Sequence, residues 1–164
     1  MRTIRVFALG VVLGCLGIGA LWVAVPTVTV GAQSGAGWKA INLPGRTTQN
    51  PLFSDAVQAG NTLYLSGRLG MDPDTGEVPA EPQQEARNVL DQIQSVLQEA
   101  GMTMDDLVNV QVFCSDVAFY NDFNMVYRTY FTTEELPARA FLGAGGLLRG
   151  ARFEVNGIAV KRPS

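Results

Sequence analysis

A switch in hydrophobic period constrains this fold more than any other feature. Ala86, Val89, Leu90, Ile93, Val96, Leu97 and Ala100 recur at helical spacing. Shortly after, Val108, Val110, Val112 and Cys114 alternate with Asn109, Gln111 and Phe113, which is strand spacing. A helix with one apolar stripe feeding an alternating strand buries both surfaces by lying on the sheet that the strand joins. Pro82 suits the helix's first turn, and Gly101 its C-terminal stop.

The remaining segments extend this pattern. Residues 38–43 read as a first strand and 44–51 as a turn-rich stretch. Residues 63–69 read as a buried strand, with Gly60-Asn61 turning into it. Asp-Pro and Thr-Gly pairs mark 71–79 as a loop. Phe119, Phe123, Val126, Tyr127 and Tyr130 place a second helix, and Pro137 stops what precedes it. Residues 140–144 form a further strand, 145–150 a glycine-rich loop and 153–160 a final strand. The order is strand, strand, helix, strand, helix, strand, strand. The fold class is therefore α+β, one sheet with two helices packed on one face. The uncovered face then exposes apolar residues unless another subunit covers it, so an oligomer is expected.

A hydrophobic N-terminal segment precedes this domain. Arg2 and Arg5 form a positive start, and 6–25 holds no charge. Pro26 ends the run, and Val30-Gly31-Ala32 places small residues where a signal peptidase cuts. Residues 1–32 read as a signal peptide, or as a membrane anchor spanning 6–25, since about 20 apolar residues cross a bilayer. Val12-Leu13-Gly14-Cys15 is a weak lipoprotein-like alternative, because the chain stays apolar after it. Residues 33–37 are a linker, and 38–164 the folded domain. The protein is expected to be exported (periplasmic or secreted) or membrane-anchored.

Composition narrows the chemistry. The chain of 164 residues has the length of one domain and contains no histidine, which removes the commonest general base and metal ligand. Its net charge is −3; removing Arg2 and Arg5 from the 12 basic residues would leave 10 against 15 acidic ones. Phosphate-driven nucleic-acid binding is disfavoured. Cleavage after Ala32 would leave Cys114 alone, with no internal disulfide, no cysteine metal cluster and no Cys–His pair. The Gly143-Ala144-Gly145-Gly146 run matches no phosphate-loop spacing. No metal and no cofactor is expected.

Arg139 follows Pro137-Ala138 at the entry to a strand, and its guanidinium suits a carboxylate. Glu154 lies between Phe153 and Val155 inside a strand, where acids are depleted. If buried, its pKa rises, which suits proton transfer. Each also has an ordinary reading, a surface or interface salt bridge for Arg139 and an outward-facing acid on an edge strand for Glu154. Ser66-Gly67 permits close backbone approach within a strand, and Asn124 sits off the apolar stripe of the second helix.

These residues fall into a recognisable arrangement. Pro137-Ala138-Arg139-Ala140, then Phe153-Glu154-Val155 and Gly157-Ile158-Ala159-Val160, resembles the signature of the RidA (YjgF-type) family. Phe53 to Val57, Gly60 to Gly67, Thr75-Gly76-Glu77 and Asn124 with Tyr127 and Phe131 extend the resemblance over 49–161. It implies a chorismate-mutase-like mixed sheet assembled as a homotrimer, with ligand sites in clefts between subunits. It also implies cofactor-free hydrolysis of reactive enamines or imines, such as 2-aminoacrylate, to 2-keto acids and ammonia. Arg139 would hold the substrate carboxylate, and Glu154 would position or protonate around the attacking water. The Ser66-Gly67 backbone and Asn124 would line the site, and Phe53 would close it.

The chain departs from the family at four positions. Phe53 stands where tyrosine is usual, Arg68 where glutamine is frequent, Phe141 where cysteine is common, and Asn156 where a second acid stands. Phe141 makes the pocket wall more apolar. Two other functions fit the same residues, a non-catalytic module binding small carboxylates and a chaperone-like envelope protein. Ribonuclease activity, also reported in the family, fits poorly with the acidic charge and the missing histidine.

Overall fold

The computed structural model describes residues 37–45 and 52–162. Six strands form one mixed sheet. They are β1 (Trp38–Ile41), β2 (Ala56–Ala59), β3 (Thr62–Leu69), β4 (Leu107–Cys114), β5 (Ala138–Gly143) and β6 (Phe153–Val160). The order across the sheet is β1-β2-β3-β6-β4-β5. Only β4 and β5 pair in parallel; β6 runs antiparallel to both β3 and β4. Helix α1 (Pro82–Glu99) connects β3 to β4, and α2 (Tyr120–Tyr127) connects β4 to β5.

The expected architecture holds. Both helices lie on one face of the sheet, over Leu63, Leu65, Val110, Val112, Phe153, Val155 and Ala159. From α1 the residues Val89, Leu90, Ile93, Val96 and Leu97 are buried, each stabilising the fold by roughly 2 kcal/mol through apolar area removed from water. Gly101 ends α1 with φ +68, a conformation that favours glycine. The amide of Gly101 donates to the Gln98 carbonyl, and that of Met102 to the Leu97 carbonyl, satisfying the last turn. Helix α2 is shorter than its apolar stripe, and tight 3-10 turns at Val117–Phe119 and Arg128–Tyr130 extend it on both sides.

Two strand expectations need correction. Five strands were expected, and β2 makes a sixth. Its four residues are too few for an alternating pattern, but β2 pairs with β3 through the Gly60-Asn61 turn. Val108 was expected to share a face with Val110, yet it is 47% exposed. A register shift between Leu107 and Asn109 turns Leu107 inward in its place.

The face away from the helices carries Tyr64, Phe113 and Ile158 among Asn109, Gln111 and Asn156, as the alternation requires, and Val108 is exposed at the register shift. The leader (1–32), its apolar run (6–25) and most of the linker lie outside the described residues. None of the described helices is long and apolar enough to cross a membrane.

Candidate functional site

The candidate residues occupy two clefts, one on each face of the sheet. Arg139 pairs with Val110, a core residue, so its side chain projects to the helix face. Glu154 pairs with Phe113 and Leu69, so its side chain projects to the opposite face. Within one protomer they line separate cavities.

The Glu154 cleft holds about 420 Å³ and is lined by Phe53, Leu65, Ser66, Gly67, Leu69, Leu148, Glu154 and Asn156. Glu154 is half-buried on a central strand, not on an edge. A register shift between Leu65 and Arg68 places Ser66-Gly67 out of step with β6, directly beside Glu154. A Cβ on Gly67 would stand 2.2 Å from Glu154 Oε1, so only glycine leaves room for this carboxylate. The Ser66 hydroxyl donates to the Ser54 carbonyl at 2.6 Å, which ties the segment after Phe53 to β3. The Ser66 amide also donates, to the Asp55 carbonyl at 3.1 Å, so neither its hydroxyl nor its N–H is left for the cleft.

Two ion pairs support this cleft from behind. Arg68 Nη2 lies 2.8 Å from Asp55 Oδ1, and Asp55 Oδ2 accepts the Leu43 amide. Arg68 thus neutralises a buried carboxylate and does not reach the Glu154 cleft. Glu85, fully buried on α1, accepts the Arg152 amide at 2.6 Å and the Phe153 amide at 3.0 Å. Its other oxygen pairs with Arg152 Nη1 at 2.7 Å. The start of β6, immediately before Glu154, is therefore pinned to α1. Asn88 and Gln92 donate to the carbonyls of Gly70 and Leu69, pinning the end of β3 in the same way.

The Arg139 cleft holds about 340 Å³ and is lined by Tyr120, Asn124, Tyr127, Arg128, Leu136, Pro137 and Arg139. The guanidinium lies over the Tyr127 ring at 4.6 Å and near the Tyr120 ring at 5.9 Å. Every other arginine among the described residues has a hydrogen bond or ion pair: Arg68, Arg87, Arg128, Arg149, Arg152 and Arg162. Arg139 has neither among the described residues, so its guanidinium sits in the cleft with no described counter-charge. Phe141, expected in the pocket wall, packs edge-on against Tyr120 and Phe123 and lines neither cleft.

Asn124 lines this cleft beside Arg139. Tyr127 belongs to the site as well as to the apolar stripe, which its spacing alone did not reveal. Burial pushes its phenol up to about 12, against the opposing pull of Arg139. Cys114 is buried, donates to the Asp116 carbonyl and takes no part in either cleft; desolvation raises its thiol pKa.

A larger cleft, about 490 Å³, runs between α1 and α2 past Arg87, Asp91 and Tyr130. Its polar groups satisfy one another, with Tyr130 donating to Asp91 at 2.6 Å and Gln83 to Asp122 at 3.2 Å. It holds neither Arg139 nor Glu154.

Comparison with known proteins places the chain in a family. Residues 47–161 match the family described as Endoribonuclease L-PSP. A 2-iminobutanoate/2-iminopropanoate deaminase of Mus musculus is 38% identical over 112 residues, 68% of this chain and 82% of the relative. The crystal structure of the Escherichia coli YjgF gene product aligns with a TM-score of 0.68 at 31% identity, covering 76% of this chain and 99% of that one. Escherichia coli TdcF with bound serine aligns with a TM-score of 0.69 at 26% identity, covering 76% and 99%.

Proposed function

The chain belongs to the Endoribonuclease L-PSP family, of which RidA is a member, and from that premise we propose that it is an enamine/imine deaminase. The reaction is hydrolysis of a 2-imino acid. Water adds to the C=N carbon, and the resulting carbinolamine expels ammonia and leaves a 2-keto acid. Arg139 anchors the carboxylate by a bidentate pair. Glu154 accepts a proton from the attacking water and returns it to the departing nitrogen. The Ser66-Gly67 backbone lines the reacting centre, with Phe53 and Leu148 at its mouth.

The observation that carries this reading is the unmatched guanidinium of Arg139 above Tyr127. The relative from Mus musculus is a 2-iminobutanoate/2-iminopropanoate deaminase, and TdcF holds serine, an α-amino acid. Because Arg139 and Glu154 open on opposite faces, one small substrate reaches both only where two protomers meet. We therefore favour a homotrimer whose clefts combine the Arg139 half of one subunit with the Glu154 half of the next.

The test is ammonia and keto-acid release from 2-iminobutanoate generated in situ. Arg139→Ala should abolish the acceleration, and an unchanged rate would rule this mechanism out. The missing hydroxyl at Phe53 favours a second reading, a non-catalytic binder of small carboxylates. Binding of a 2-keto acid without any turnover would select it.

The leader supports action outside the cytoplasm, after cleavage behind Ala32 or on a tether through 6–25. N-terminal sequencing of the protein from fractionated cells distinguishes these, and a cytoplasmic chain starting at Met1 would overturn both.

A further inference from the structure

Tyr127 carries a hydroxyl that none of the described residues uses. Its residue is 5% exposed, and its ring packs on Phe123 and Phe131 at 5.7 and 4.8 Å. That packing accounts for an aromatic ring and would be met equally by phenylalanine. The oxygen is closed off from water and has no hydrogen-bond partner among the described residues. An unpaired buried hydroxyl opposes folding, so a site that retains one calls for a partner from elsewhere. Asn124 Oδ1, one turn earlier on α2, is in the same condition.

Both residues line the Arg139 cleft. Arg139 lies over the Tyr127 ring, and its charge acts on the phenol. A carboxylate that pairs with this guanidinium is brought beside the Tyr127 oxygen. The shielding that keeps the oxygen dry strengthens a hydrogen bond made there to a charged acceptor.

We infer that Tyr127 is a ligand-contacting residue, whose hydroxyl donates to the carboxylate held by Arg139 while Asn124 presents its amide to the group on the adjacent carbon. The ligand class is a 2-imino or 2-oxo acid. A guanidinium and a phenol read the carboxylate, and the unpaired Asn124 Oδ1, an acceptor, reads an imino N–H beside it. This rests on the reading of Arg139 as the carboxylate anchor and adds to it a donor that separates carboxylates from other anions by geometry.

The experiment is calorimetric titration of the full-length protein with 2-oxobutanoate at neutral pH. Wild type, Tyr127→Phe and Tyr130→Phe are compared, with melting temperatures measured alongside. Tyr127→Phe should raise Kd about tenfold, as for loss of a hydrogen bond to a charged group, and leave the melting temperature unchanged or higher. Tyr130→Phe removes a hydroxyl already paired with Asp91 in the other cleft and should leave Kd within about twofold. A Tyr127→Phe Kd equal to that of wild type would overturn this inference alone. Weaker binding together with a melting point several degrees lower would give the hydroxyl a structural role and count against it. A wild type that binds no 2-oxo acid would overturn the reading of Arg139 and this inference with it.

Discussion

Gly67 and Glu154 compete for one space: a methyl group on Gly67 would stand 2.2 Å from Glu154 Oε1. The atom in the way is the far end of a flexible side chain, so the fold has an easy escape, and the φ of Gly67 needs no glycine. Gly67→Ala should therefore leave the melting temperature within a few degrees of wild type while swinging the carboxylate out of position. Misplacing a reacting group by about 1 Å costs on the order of 100-fold. Steady-state kinetics should show that loss in kcat/KM. Retention of wild-type turnover would remove Glu154 from the reaction.

Three of the four departures from the family pattern, Arg68, Phe141 and Phe53, differ in weight once located. Arg68 is spent on Asp55, and Phe141 packs into the aromatic cluster behind Arg139. Phe53, by contrast, is 58% exposed at the mouth of the Glu154 cleft. A hydroxyl added there is solvated and carries no burial cost. Phe53→Tyr should leave stability unchanged, within about 0.5 kcal/mol for a surface substitution, and raise kcat severalfold by supplying a proton donor near the attacked carbon. A kcat no higher than wild type, measured on the same imine, would show that the missing hydroxyl is not what limits this chain.

Much of this was legible in the residues. The period switch placed α1 and β4, the Gly60-Asn61 pair marked a turn, and Phe153 to Val160 read directly as a strand. Arg139 and Glu154 stood out by residue type and setting. Their separation on opposite faces was also encoded, because strand pairing fixes side-chain parity, but it could not be read before the register was known. Glu85 carries a signal of its own. It lies one turn before Val89 on the buried stripe of α1, where a carboxylate requires a partner. Tyr127 was hidden for the opposite reason. Its spacing fits the apolar stripe, and only the unpaired oxygen reveals a second role.

Glu85 and Arg152 lead to a stability prediction. Glu85 is fully buried and accepts two backbone amides as well as the Arg152 guanidinium. Removing Arg152 leaves a dry carboxylate with no counter-charge. Breaking one side of a buried pair costs about 3–5 kcal/mol. Arg152→Met should lower the urea midpoint accordingly. Glu85→Gln should cost less, because the amide oxygen still accepts from a peptide N–H and no buried negative charge is stranded. Equal midpoints for the two variants would show that the hydrogen bonds, not the charge pair, hold the start of β6.

Tyr127 also sets an alkaline limit. Burial raises its phenol from about 10 to about 12, with Arg139 pulling the other way. Below pH 10 the folded and unfolded chains both keep the proton, and the residue adds no pH dependence. Between about pH 10 and 12 the unfolded chain releases the proton and the folded chain holds it, so stability falls as pH rises. Above 12 both are ionised and the loss is complete, at roughly 3 kcal/mol for a two-unit shift. Tyr130 shifts upward too, through burial and its bond to Asp91, so it adds to the same decline. The Tyr127 share is isolated by comparing wild type with Tyr127→Phe in urea unfolding at pH 9 and pH 11.5. The variant should lose less stability across that interval, whereas parallel losses would mean that the Tyr127 phenol ionises at its ordinary pH in the folded chain.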